Sequence, residues 1–266
     1  MDGIGRIPRS LVGESGMSGD ALSDQSAIHE LVPSETLRVG LVAAPARSML
    51  FVAKDVSTGE PRGITVDLAR SLAQQLRVPI SLIMMPNSGA CTEALEQELI
   101  DITFMPVDDE RRRKVAFGPA YYIMESTYLV TASSGIMRLS DIDRRDVRIV
   151  GITNTTTIRS AVRALKNTTP MAVETIDHAV DLLRAGQADA LALSRDAFQT
   201  LLPLLPGARV LNGGFQTTEI AIAVGQNKPF ALSYVSRFVE EAKMSGLVRK
   251  AFDDAGFPME PVAPGH

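Results

Sequence analysis

Two stretches of the chain, 94–102 (ALEQELIDI) and 182–190 (LLRAGQADA), repeat one local pattern: a helix end, then an aspartate, then the start of an apolar run. Two copies of a helix-to-strand junction in one chain call for two similar α/β units. The flanking sequence supplies the rest of each unit. Leu37 to Val42 reads as a buried strand, and Val66, Leu68, Ala69, Leu72, Ala73 and Leu76 repeat at helical spacing after the Gly59 to Gly63 turn. Pro79 ends that helix, and Ile80 to Met84 forms a second strand. A helix carrying Ala94, Leu95 and Leu99 leads to the strand Ile100 to Met105. In the second unit, Arg148 to Ile152 reads as a strand, and Ile158 to Leu165 and His178 to Ala185 as helices. Tyr121 to Thr131 and Thr217 to Val224 are β-rich runs placed where the chain passes from one unit to the other and back. Lys228 to Met244 then reads as a returning helix. The expected division is 35–126 with 219–262 as lobe one, 127–218 as lobe two, and 1–34 as a polar, disordered arm.

Composition excludes several function classes. With 266 residues, 45% of them hydrophobic, the chain has material for two cores. Its 27 basic against 31 acidic residues give a net charge of −4, which is not the footprint of a nucleic-acid binder. Three histidines and the single Cys91 cannot build a Cys/His zinc site or an internal disulfide. No phosphate-binding or dinucleotide fingerprint is present, so no cofactor is expected. No segment reaches the roughly 18 apolar residues of a membrane span, and residues 1–36 lack the apolar core of a secretory signal. The expected compartment is the cytoplasm, or the periplasm if the protein is processed.

The most telling segment is 101–122, DITFMPVDDERRRKVAFGPAYY. It resembles the solute-binding proteins of family 3, the amino-acid-type periplasmic receptors, in which a strand ending in DA leads to T-x-ER and then F-S-x-P-YY. Glu110 and Arg111 fall on the ER pair, and Phe117 to Tyr122 on the last block. The likeness runs from Leu37 to about Phe257. It implies an α/β fold of two Rossmann-like lobes joined by two hinge strands, the periplasmic-binding-protein type II architecture.

The resemblance also implies a binding site. Arg111 would grip a ligand carboxylate from lobe one, for which a planar guanidinium is suited; on residue pattern alone, the run Arg111 to Arg113 reads as most charge runs do, as a solvated face paired with Asp108, Asp109 and Glu110. Gly151 to Thr157 resembles the G-TT turn that presents N–H groups and a hydroxyl from lobe two. Thr156 and Thr157 fall on its threonines and Thr155 replaces its glycine, while ordinary N-capping explains the same residues. Where the family's acid pairs with a ligand ammonium stands Ser194; Asp196, two residues on, would substitute only with a shifted local backbone. Ser88, with Asn87 and Gly89, occupies the stretch of the covering aromatic, so a less aromatic pocket is expected. Phe104 and Pro106 replace smaller residues, Pro106 removing a backbone donor and Phe104 entering either the pocket or the core.

These departures point to a small organic acid or amino-acid-like ligand that is not an ordinary α-amino acid, because a neutral hydroxyl does not compensate a buried ammonium. The partner would be an ABC permease if the protein is exported. An enzyme resembling cyclohexadienyl or arogenate dehydratase is the alternative, with Glu219, Asp196 or Glu125 as its acid. A lobe pair that binds no ligand and serves as an interaction module is the third. Met84, Met85, Met105 and Met124 are expected in cores, His178 at a helix start on the surface, and Cys91 in a helix without a neighbouring cation.

Overall fold

The computed structural model describes residues 19–43, 48–55 and 57–265. In chain order, α1 (Gly19–Leu31) precedes β1 (Leu37–Val42), a small hairpin of β2 (Ala53–Lys54) and β3 (Pro61–Arg62), and α2 (Ile64–Leu76). Then come β4 (Ile80–Met85), α3 (Ser88–Glu96), β5 (Ile102–Pro106), the single turn α4 (Asp109–Arg112) and the long β6 (Val115–Val130). The second half holds β7 (Ile149–Ile152), α5 (Thr156–Ala164), β8 (Met171–Val173), α6 (Ile176–Arg184), β9 (Ala190–Ser194), the short α7 (Phe198–Leu201) and β10 (Arg209–Val210). The last elements are β11 (Gln216–Gly225), α8 (Pro229–Met244) and α9 (Leu247–Asp254).

Among the described residues, nine strands join in the order β4-β1-β5-β11-β6-β9-β7-β8, with β10 beside β6. The order is symmetric about its middle. β4, β1 and β5 are parallel and flanked by antiparallel β11; β8, β7 and β9 are parallel and flanked by antiparallel β6. The two flanking strands pair with each other from Gln216/Ser126 to Gly225/Val115. They are the two strands that link the lobes, and β6 starts earlier than the Tyr121 expected from sequence, at Val115.

The internal repeat has a structural cause. Asp101 accepts from Arg38 N (2.8 Å), Nε (3.1 Å) and Nη2 (2.6 Å), fixing β5 beside β1. Asp189 accepts the same three donors from Arg148, at 2.9, 3.0 and 2.7 Å, fixing β9 beside β7. Bidentate arginine clamps of this kind hold register as well as energy.

Core residues segregate by lobe. Val39, Leu41, Leu68, Leu72, Phe104, Tyr121, Ile222, Val235 and Phe252 belong to one large cluster, with a smaller one around Cys91, Ile100 and Met105. Leu129, Val150, Leu183, Leu191 and Phe198, and separately Tyr128, Ile149, Ala161 and Leu211, fill the other lobe. Phe104 packs edge-on to Tyr121 at 5.9 Å between ring centroids, which puts it in the core rather than the pocket.

One expectation is corrected. Residues 19–31, read as part of a disordered arm, form α1; residues 1–18 of that arm lie outside the described residues. Ala27, Leu31 and Val32 are buried in the lobe-one core, and Glu30 accepts from Ala231 N at 2.7 Å at the start of α8. So few apolar contacts leave little periodic signal, and the helix draws its stability from docking.

Candidate functional site

A cavity of about 390 Å³ lies between the lobes, and its wall is built largely from the C-terminal ends of the parallel strands. Val42 closes β1, Pro86, Asn87 and Ser88 follow β4, and Pro106 closes β5. From the other lobe come Ile152 and Thr153 at the end of β7, Glu174 and Thr175 after β8, and Leu193 and Ser194 at the end of β9. Open α/β sheets bind ligands at these ends because helix N-termini and the connecting loops converge there.

Of the sequence candidates, Ser88, Pro106, Thr156, Thr157 and Ser194 all line this cavity. Arg111 does not. It is 4% exposed and lies behind the wall, where Nη2 donates to Ser88 Oγ at 2.7 Å and Nη1 to the Pro106 carbonyl at 2.9 Å. Asp108, the N-cap of α4, accepts from Arg111 N at 2.9 Å and ion-pairs its guanidinium at 3.5 Å. Burial lowers the Arg111 pKa against the opposing pull of Asp108. Arg111 instead lines a neighbouring polar cavity of about 250 Å³ with Asn87, Lys114, Asn154 and Arg159.

The lobes touch at this second cavity. Arg159 of α5 ion-pairs with Asp108 and, at 3.7 Å, with Glu110, while Arg111 Nη2 reaches the Asn154 carbonyl at 3.5 Å. Burial tends to raise the Asp108 pKa, but the Arg111 N–H and the Arg111 and Arg159 cations hold it below the ordinary carboxylate value.

In the lobe-two wall, Thr155 caps α5, accepting from Ile158 N at 3.2 Å and donating to the Ile152 carbonyl at 2.8 Å. Asn154 enters the turn with φ +59°, the left-handed conformation that asparagine tolerates. Capping and cavity lining are thus both true of this turn. The helix start leaves N–H groups without intrahelical partners at the cavity, where the dipole favours negative charge. The Thr157 hydroxyl is 3.3 Å from Ser126 Oγ on β6, tying the helix start to the linking strand.

The remaining wall is mostly apolar: Val42, Ala43, Phe51, Met124, Ile152, Ile176 and Leu193. Phe51 corrects the expectation of a less aromatic pocket. It sits in the loop before β2, outside any periodic pattern, and α2 fixes it: Thr65 Oγ1 donates to the Phe51 carbonyl at 2.7 Å and Ile64 N to that of Met49 at 2.9 Å. Met124 also lines the cavity while 4% exposed, so it is both core and wall.

None of the three acids considered for catalysis lines the cavity. Glu219 pairs with Arg112 at 3.5 Å and Glu125 with Arg195. Asp196 is buried, and neither carboxylate oxygen has a hydrogen-bond partner among the described residues. Cys91 is fully buried and burial pushes its thiol up to about 11, which makes it inert. His178 is exposed in the first turn of α6. No His/Cys/Asp/Glu group suited to a metal is present among the described residues, and no helix there is long and apolar enough to cross a membrane.

Two lobes, two linking strands and a cavity at the strand ends are the anatomy of a closing receptor, and the sequence match agrees. The family of bacterial extracellular solute-binding proteins, family 3, matches residues 41–254. The chain belongs to that family. This solute-binding protein is 25% identical over 177 residues to the glutamine-binding protein of Geobacillus stearothermophilus, covering 65% of this chain and 67% of that one. Its fold is shared with the solute receptor for L-cysteine of Neisseria gonorrhoeae at a TM-score of 0.76 and 17% identity, over 90% of this chain and 99% of that one. It is also shared with an ancestral amino acid-binding protein, a precursor of cyclohexadienyl dehydratase, at a TM-score of 0.73 and 24% identity, over 85% and 98%.

Proposed function

We propose that this solute-binding protein closes on a small carboxylate whose α-carbon bears no ammonium group. The carboxylate sits at the start of α5, against the first-turn N–H groups and the Thr156 and Thr157 hydroxyls, and the rest of the ligand fills the apolar part of the cavity. Ser88 completes the grip from lobe one. Its oxygen already accepts from the Arg111 guanidinium, so its own O–H is left to point at an anion. Arg111 thereby acts through Ser88, and its charge reaches the cavity through a polarised hydroxyl.

The observation that carries the ligand class is Ser194. It ends β9 on the cavity wall, and the nearby Asp196 carboxylate is buried behind it, so that among the described residues a hydroxyl rather than an acid faces the cavity there; a hydroxyl alone does not offset the desolvation of an ammonium. Closure excludes water and strengthens the charge-assisted bonds. Where the protein is exported, this reading assigns it the permease of an ABC transporter as partner.

The test is a thermal-shift screen of the whole protein against carboxylic acids, α-amino acids and phosphorylated metabolites, since a ligand that binds only the folded state raises Tm. Stabilisation by acids lacking an α-amino group supports the reading. Stabilisation by α-amino acids alone contradicts it.

A further inference from the structure

Among the described residues, only one ionisable side chain lines the 390 Å³ cavity, and it is the acid Glu174. It follows β8 immediately before Thr175, the N-cap of α6. Its side chain is exposed, with no ion pair or hydrogen bond among the described residues. Sheet order fixes where this charge stands. β7 lies between β8 and β9, so Glu174 and Ser194 flank the α5 approach from opposite sides, about two strand spacings or roughly 10 Å apart. The register of β7 on β8 pairs Ile152 with Val173, which sets Glu174 beside Thr153, the residue after β7. Apolar Ile152 and Ile176 border the same region.

We infer that Glu174 is a specificity-determining residue that selects ligands carrying a cation remote from the carboxylate, the class of ω-amino and related zwitterionic carboxylic acids. This rests on the carboxylate reading given above and refines it. Among the described residues the lining charge is negative, which attracts a cation and disfavours a second anion. The α5 start takes the carboxylate, apolar side chains cover the methylene chain, and Glu174 at the mouth meets the distal ammonium.

The test is isothermal titration calorimetry of the full chain with straight-chain acids of four to six carbons, each compared with its ω-amino derivative. The expected result is tighter binding of the ω-amino acid by about two- to fivefold, the worth of a partly exposed ion pair. Glu174→Gln removes that preference, and Glu174→Lys reverses it. Equal or tighter binding of the parent acid to the unmodified protein overturns the inference and leaves the carboxylate reading standing, as does a preference that survives in Glu174→Gln. Failure of both series to bind overturns the carboxylate reading and this inference with it.

Discussion

Arg111 donates through Nη2 to Ser88 Oγ at 2.7 Å, and that single contact places the cation one residue behind the cavity wall. Ser88 faces the cavity and Arg111 does not, so the two act in series. Ser88→Ala therefore weakens carboxylate binding by about 1 kcal/mol, one hydrogen bond, without loss of fold. Arg111→Ala costs at least about 2 kcal/mol of binding, because it removes the charge and frees the Pro106 carbonyl and Ser88 together. Calorimetric titration of the two variants checks the order; equal losses would mean that the cation contributes nothing beyond the hydroxyl.

Arg159 of lobe two holds Asp108 of lobe one, and no other ion pair in the described structure joins α5 to α4 apart from its weaker contact with Glu110. With Arg159 30% exposed, the contact is worth about 0.5–1 kcal/mol after solvent screening. Arg159→Ala shifts the lobes toward an open form, read as a larger radius of gyration by small-angle scattering. The Asp108 carboxyl has a depressed pKa in the folded chain, so its contribution is present above its unfolded value and is lost as pH falls through the folded one. Acid opens the unmodified protein and has a smaller effect on Arg159→Ala.

Asp196 has the opposite sign. Burial raises its pKa, and the nearby Ser48 and Ser194 hydroxyls only partly offset this. The folded state holds the proton more tightly than the unfolded one, so stability is fully present below the unfolded pKa and declines as pH rises through the folded pKa. Asp196→Asn removes this dependence and raises stability at neutral pH, because the amide carries no charge to desolvate. Denaturation at several pH values measures it; a variant less stable at neutral pH would show that the carboxylate is needed in charged form.

Gly63 precedes α2 at φ +135°, and a Cβ there would lie 2.5 Å from the Phe51 carbonyl oxygen and 2.8 Å from that of Met49. Gly63→Ala must push back the loop that carries Phe51 to the cavity. The expected cost is about 2–3 kcal/mol of stability, with weakened binding, since both the backbone conformation and the space are closed to a side chain. Unchanged melting would contradict this account of how Phe51 is held.

Much of the fold was legible because its signals are local and periodic. The aspartates of the internal repeat proved to be the residues that clamp Arg38 and Arg148, so a sequence similarity between the lobes reflected one shared contact. Thr156, Thr157, Ser194, Ser88 and Pro106 were legible as wall residues because each sits at a strand end or helix start that the resemblance could align. Phe51 and Glu174 were not, for physical reasons. Phe51 depends on hydrogen bonds from α2, which leave no pattern in the loop itself. Glu174 follows β8, a strand of three residues with two exposed, too short to show an alternation. The position of Arg111 behind the wall was illegible for another reason: sequence register identifies the residue but does not say which way its guanidinium turns.

Exchange at Ser194 separates the two ligand classes. Affinities of the unmodified protein and of Ser194→Asp are measured by calorimetry for a carboxylic acid and for its derivative carrying an α-amino group, the pair differing in that group alone. The unmodified protein is expected to bind the plain acid more tightly, by about tenfold or more for an ammonium desolvated without a counter-charge, and Ser194→Asp to reverse the order. Tighter binding of the α-amino derivative to the unmodified protein would contradict it.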